Sequence, residues 1–268
     1  LLISQLVRIA CLNIALQPVW EGLKEKKWNA EQLADLENQL SGIDLLSGHH
    51  KSMVGERVFG NLMVDDYGID HPEAFDPLTD EHGNNGALGN FFFGLIPEGW
   101  WRKNQLRFNE MHLNYTQRIV DPKTRRIHPN IAGAFNKELD ARKSKLQLPL
   151  YDWLSLIMLP ALDKVAIKIG AAQTAVDHAR IGCLLELHKL KNKQYPEKLA
   201  DLKNPLPLDP YNGKPYAYKL TKEGRYQLYG IGWNQKDDAG TVINKGDWTD
   251  SEKGDLVWNY SSQTPEEK

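Results

Sequence analysis

Cysteine is scarce in this chain: Cys11 and Cys183 are the only two in 268 residues. Two are too few for a disulfide scaffold or a cysteine metal site. Each falls on an apolar helical face, which reads as two buried thiols, or as one bridge if their Cα atoms lie within roughly 7 Å. An excess of one charge is missing too. Lys and Arg number 33 against 35 Asp and Glu, a net charge of −2, so no global field recruits nucleic acid or anionic lipid. That argues against a nucleic-acid protein. The longest apolar runs, FFFGLIP at 91–97 and LSLIMLPAL at 154–162, fall short of the roughly 18–20 residues that span a bilayer. No secretory signal pattern is present. The chain opens on Leu1-Leu2, so any membrane attachment is expected through an anchor upstream of Leu1.

Catalytic signatures are equally thin. GNNGALG lacks the strand that would make it a phosphate loop, and there is no GxSxG elbow. His49 and His50 point apart as helical neighbours. His178 and His188 are separated by about 15 Å of helix rise. No catalytic residue is assigned.

What is present is helix, and then a change of texture. Residues 2–27 read as an amphipathic helix with Ile3, Leu6, Val7, Ala10, Ile14 and Val19 inward, kinked or ended at Pro18. Asn29 followed by Gln32 resembles a capping box, and Gly42 a C-cap after the Leu33/Leu36/Leu40 stripe. A third helix is expected over 50–65. Residues 65–90 are rich in Asp, Gly, Pro and Asn and read as an acidic loop. The aromatic segment 91–101 reads as a core plug beneath it, followed by a helix over 100–120. Lys123, Arg125 and Arg126 look like a solvated turn. A weak helix is expected at 134–142, and Pro160 should kink or divide the helices around it.

The run 161–191 carries an apolar stripe through Val165, Ile169, Val176, Cys183, Leu187 and Leu190 and predicts one rod of roughly 45 Å. Beyond it stand LPLDPYNGKPYAYKL, the strand pattern GRYQLYGIG, the polar loop NQKDDAG and GDLVWNY. These four motifs in this order resemble the C-terminal region of type II secretion major pseudopilins. They are closest to the uncharacterised pseudopilin-like proteins of planctomycetes and their relatives. The resemblance implies a long helix packed on a small antiparallel sheet, and a Ca²⁺-binding acidic loop. It points to Asp237, Asp238, Asp247, Asp250 and Asp255 as metal ligands, with Asp255 matching the family's Asp before Ile/Val. Asn234 and Ala239 depart from the family pattern, and about 150 residues precede the long helix instead of none.

The expected architecture is α+β: a mainly helical domain at 1–150, then the pseudopilin-like module at 151–268. The function this implies is that of a non-catalytic exported or envelope-associated scaffold, periplasmic or at the cell envelope, contacting other protein subunits and stabilised by Ca²⁺. Two alternatives stay open. One is a metal-dependent hydrolase using Asp70, His71, Asp76 and His82 of the 65–82 loop. The other is a ligand-binding module built on the 91–101 aromatics.

Overall fold

A computed structural model describes residues 1–70, 96–143, 152–159, 162–222, 224–245 and 248–259. The chain is α+β, with helices predominating over small antiparallel sheets. It divides into two compact units. The first gathers Leu1–Leu2, His50–Ile119 and Asn130–Asp163. The second gathers Ile3–His49, Val120–Pro129 and Lys164–Lys268.

The third helix, α3, spans Leu45–Met63. In the first unit, helix α4 (Glu98–Asn114) and helix α5 (Pro129–Lys143) supply Trp101, Phe108, Met111, Phe135 and Leu139 to one apolar core. Trp101 is fully buried and stands edge-on to Trp100 at 4.9 Å, so this end of the aromatic segment is core; residues 91–95 lie outside the described residues. The residues expected to be loop at 65–70 form instead a wide turn of helix, Val64–Asp70. Its Asp65 accepts from Arg102 at 2.6 Å and from Gln105 at 3.1 Å. His112 is buried against Phe108 and meets the Thr116 hydroxyl at 2.7 Å. Burial, with Arg57 adding, pushes this imidazole down to about 4.

In the second unit, helix α1 (Leu2–Lys24) continues past Pro18, which does not end it. Its buried stripe is Ile9, Leu16, Val19 and Leu23, a three-and-four spacing. The face expected inward is outward: Ile3 is 69% exposed, Val7 58% and Ile14 75%. Apolar residues surround this helix on every side, so periodicity alone could not choose the face. For the same reason α1 is long and apolar enough to cross a membrane, with mean hydropathy 1.4 over an 18-residue window. Isolated polar residues such as Arg8, Asn13 and Gln17 break its apolar run without lowering the average much. Cys11 is exposed on this helix, and neither cysteine is bridged.

Helix α2 (Ala30–Ser41) begins with the expected reciprocal cap: the Asn29 side chain accepts from Gln32 N at 2.9 Å, and Gln32 Oε1 from Asn29 N at 3.0 Å. Gly42 closes it in right-handed geometry. The short helix α6 (Trp153–Met158) and the long helix α7 (Leu162–Asn192) are separate, as a proline between them requires. Between Val165 and Leu185 the long helix is buried nearly all round, whereas Leu190, expected inside, is 48% exposed.

The sheet that covers it has the order β3 (Ala217–Leu220), β4 (Tyr226–Gly230), β7 (Leu256–Asn259), all antiparallel. Leu228 pairs with Tyr218 on one side and Trp258 on the other. Tyr226, Leu228 and Trp258 face the core that holds Val176, Ile181, Leu184 and Leu185 of the long helix. Two further strands, β5 (Val242–Lys245) and β6 (Trp248–Gly254), form a hairpin within what reads as loop.

Candidate functional site

The motif-bearing segments meet in the second unit, and their polar groups tie turns to one another. Asp209 of the LPLDPYNGKP run is buried. One carboxylate oxygen accepts from Tyr211 N at 2.8 Å, the other from Ile231 N at 2.9 Å at the end of β4. Burial raises its pKa, and those two amides with Arg126 oppose the shift. Gly230 is needed beside it, since a Cβ there would come within 2.9 Å of Asp209 Oδ2. Tyr211 is packed over Gly170 of the long helix, where a Cβ would fall 2.2 Å from the phenol oxygen.

Arg125 and Arg126, expected to be solvated, are clamps. Arg125 ends the turn between β1 (Val120–Asp121) and β2 (Arg126–Ile127), and Arg126 opens β2. Arg126 donates to the Pro210 carbonyl at 3.2 Å and the Tyr211 carbonyl at 3.0 Å. Arg125 lies 3.6 Å from Asp177. Their partners stand 84 and more residues away or more than a helix length along the chain, out of reach of any local reading.

Asp177 is the centre of a buried network on the long helix. Gln173 Nε2 donates to Oδ1 at 2.9 Å and the Tyr216 hydroxyl to Oδ2 at 2.9 Å. Gln173 Oε1 accepts from Leu45 N at 2.8 Å. Burial raises the Asp177 carboxyl to about 6 although Gln173, Arg125, Tyr216 and Arg180 all oppose it. His178 beside it stacks edge-on against Tyr216 at 4.7 Å, and burial pushes its imidazole down to about 3. Burial likewise carries the Cys183 thiol up to about 12. A thiol so held is inert.

The acidic loop brings together three of the five expected ligands. Asp255 is buried between β6 and β7 and accepts from Gly240 N at 2.6 Å and Asp238 N at 3.3 Å. Burial raises its pKa and the charges of Asp237 and Asp238 add to that; the two amides oppose it. Asp238 Oδ2 accepts from Asn234 Nδ2 at 2.8 Å. Asp237 Oδ1 accepts from Ala239 N at 2.9 Å and the Tyr229 hydroxyl at 3.2 Å. Asp250 accepts within its own strand from Glu252 N at 3.0 Å, with Lys253 at 3.9 Å. Asp247 lies outside the described residues. A Ca²⁺ shell takes six to eight oxygens. Among the described residues no group of three or more His, Cys, Asp or Glu is arranged to hold a metal ion, and Asp237 Oδ1, Asp238 Oδ2 and both Asp255 oxygens accept hydrogen bonds.

Asn234 and Ala239, the two departures from the family pattern, both have a place here. Asn234 supplies the amide to Asp238. Ala239 sits at φ +58, in the left-handed region, where glycine is relaxed and a Cβ is not. Of the rival hydrolase residues, Asp70 ends the wide turn and is exposed; His71, Asp76 and His82 lie outside the described residues. No family model, curated protein or solved structure matches the chain.

Proposed function

We propose that this chain is a non-catalytic, exported or envelope-associated assembly protein, with its second unit a pseudopilin-like module that acts through contacts with other protein subunits. The observation that carries the reading is the use of the shared motifs. Asp209, Tyr211, Asp255 and the DDAG turn lock strands and loops around one long helix, with Asp209, Asp237 and Asp255 accepting from backbone amides and Asp238 from the Asn234 side chain. Such a body offers a rigid surface more than a reactive centre. The length and apolarity of α1 support an envelope address. A Ca²⁺ in the acidic loop would need Asp247 or oxygens from outside the described residues.

The test is fractionation with crosslinking of the full-length protein in cells. The expected result is envelope or exported fractions and discrete crosslinks to one or a few proteins. A cytosolic protein that crosslinks to nothing contradicts the proposal.

A further inference from the structure

The first helix and the long helix end beside one another in the second unit, and their ends frame a pocket. Leu23, Trp28, Leu33 and Leu190 wall a hollow of about 200 Å³. Sites for whole small molecules run to roughly 300–1,000 Å³, so this one suits a single large apolar side chain. Its Trp28 wall is fixed. The indole lies against Gly22, where a Cβ would fall 2.1 Å from Nε1, and it donates to the Val19 carbonyl at 3.3 Å.

Lys26, Lys189 and Lys193 line the same hollow. An adjoining depression adds Lys24 and Arg225, so the cations form a strip. Among the described residues none of Lys26, Lys189 and Lys193 lies within 4 Å of a carboxylate oxygen. Glu186, the acid lining both hollows, accepts from the Tyr195 hydroxyl at 2.5 Å. Burial, and then the neighbouring charge of Lys26, lowers the Lys189 pKa against the opposing charge of Glu186, and the Lys189 ammonium lies over the Tyr195 ring at 4.1 Å.

Cations do favour helix C-termini, which accounts for lysines here in general. It does not account for their place. Lys26 and Lys193 occupy left-handed backbone just past the two helices, at φ 52 and 66, where glycine is the relaxed choice.

We propose that this corner docks an acidic peptide segment, which inserts one large apolar side chain into the hollow while flanking carboxylates meet Lys26, Lys189 and Lys193. A single-headed amphiphile would leave most of the cation strip unmatched, and its tail would outgrow the hollow. The docking stands whether or not the chain is an envelope protein.

Fluorescence polarisation with the full-length protein tests it, using a labelled peptide of Asp and Glu around one central Phe. Saturable binding is expected, weakening roughly tenfold when the centre is Ala. A similar loss is expected for the Lys26→Glu/Lys193→Glu variant at unchanged melting temperature, and at about 0.5 M salt. Gly22→Ala, which crowds Trp28, should weaken binding without touching a charge. Absence of saturable binding overturns the proposal, as does equal affinity for the Ala-centred peptide or for the charge-reversed variant. Displacement of the peptide by stoichiometric octanoate would assign the hollow to a fatty acid instead and also overturn it.

Discussion

The chain contains two long apolar helices, Leu2–Lys24 and Leu162–Asn192, and they are used in opposite ways. The long helix is wrapped from Val165 to Leu185, so its polar residues go inside: Gln173, Thr174, Asp177 and His178 are buried. The first helix buries one narrow stripe and leaves Ile3, Val7 and Ile14 to the outside. Apolar content is therefore no guide to burial in this protein. What separates the two is partners: the long helix has a sheet packed on it, and Leu45, Arg125 and Tyr216 each bring a specific polar contact to Gln173 or Asp177.

The largest expected effect that sharpens this contrast is in packing. Leu185 is fully buried and Ile14 is 75% exposed. Leu185→Ala should cost about 2–5 kcal/mol in denaturant unfolding, and Ile14→Ala within about 0.5 kcal/mol. Equal losses would break the comparison, since they would mean that the outer face of the first helix is covered.

Acid should act next, through the buried polar residues of the long helix. His178 is held neutral, with its pKa lowered to about 3, so the unfolded chain binds its proton first. Its contribution is present above about pH 6.5 and is lost as pH falls towards 3, by about 1.4 kcal/mol per pH unit. Asp177 has the opposite sign. Its pKa is raised to about 6, so the cost of burying its charge is present at neutral pH and is relieved as pH falls from 6 towards its unfolded value. Stability against pH should therefore fall less steeply below pH 6.5 in His178→Phe than in the natural chain. In Asp177→Asn it should fall more steeply between about pH 6 and 4. Parallel curves for all three proteins would show that these groups titrate as if exposed.

Much of this was legible in the sequence, and what was not has a common cause. The cap at Asn29 and Gln32, the long helix and the three strands of the sheet depend on neighbours within a few residues. The face of the first helix did not, because apolar Ile3, Val7 and Ile14 share its outside with polar Ser4, Asn13 and Gln17. Arg126 reaches Pro210 and Tyr211, and Gln173 reaches Leu45 across 128 residues. A charge in a turn looks solvated until the partner from the far end of the chain is in place. In the acidic loop too the partners are distant: Asp255 is an acceptor for the amides of a turn 15 and 17 residues before it, and a hairpin occupies part of the stretch between.

The smallest effect concerns that turn. Ala239→Gly should stabilise the protein by about 1 kcal/mol, because the left-handed backbone at this position disfavours a Cβ. A loss of stability on calorimetry would mean that the Ala239 methyl group makes a contact that outweighs the backbone strain.

The central claim is that the second unit is closed by its own backbone amides, with Asp255 as the acceptor that holds the acidic turn. Melting the natural chain and Asp255→Ala, each with chelator and with millimolar Ca²⁺, tests it most directly. The predicted result is a natural chain that melts identically in both conditions and an Asp255→Ala variant that melts lower in both. A Ca²⁺-dependent rise in the natural chain that Asp255→Ala abolishes would contradict it and return the loop to the metal.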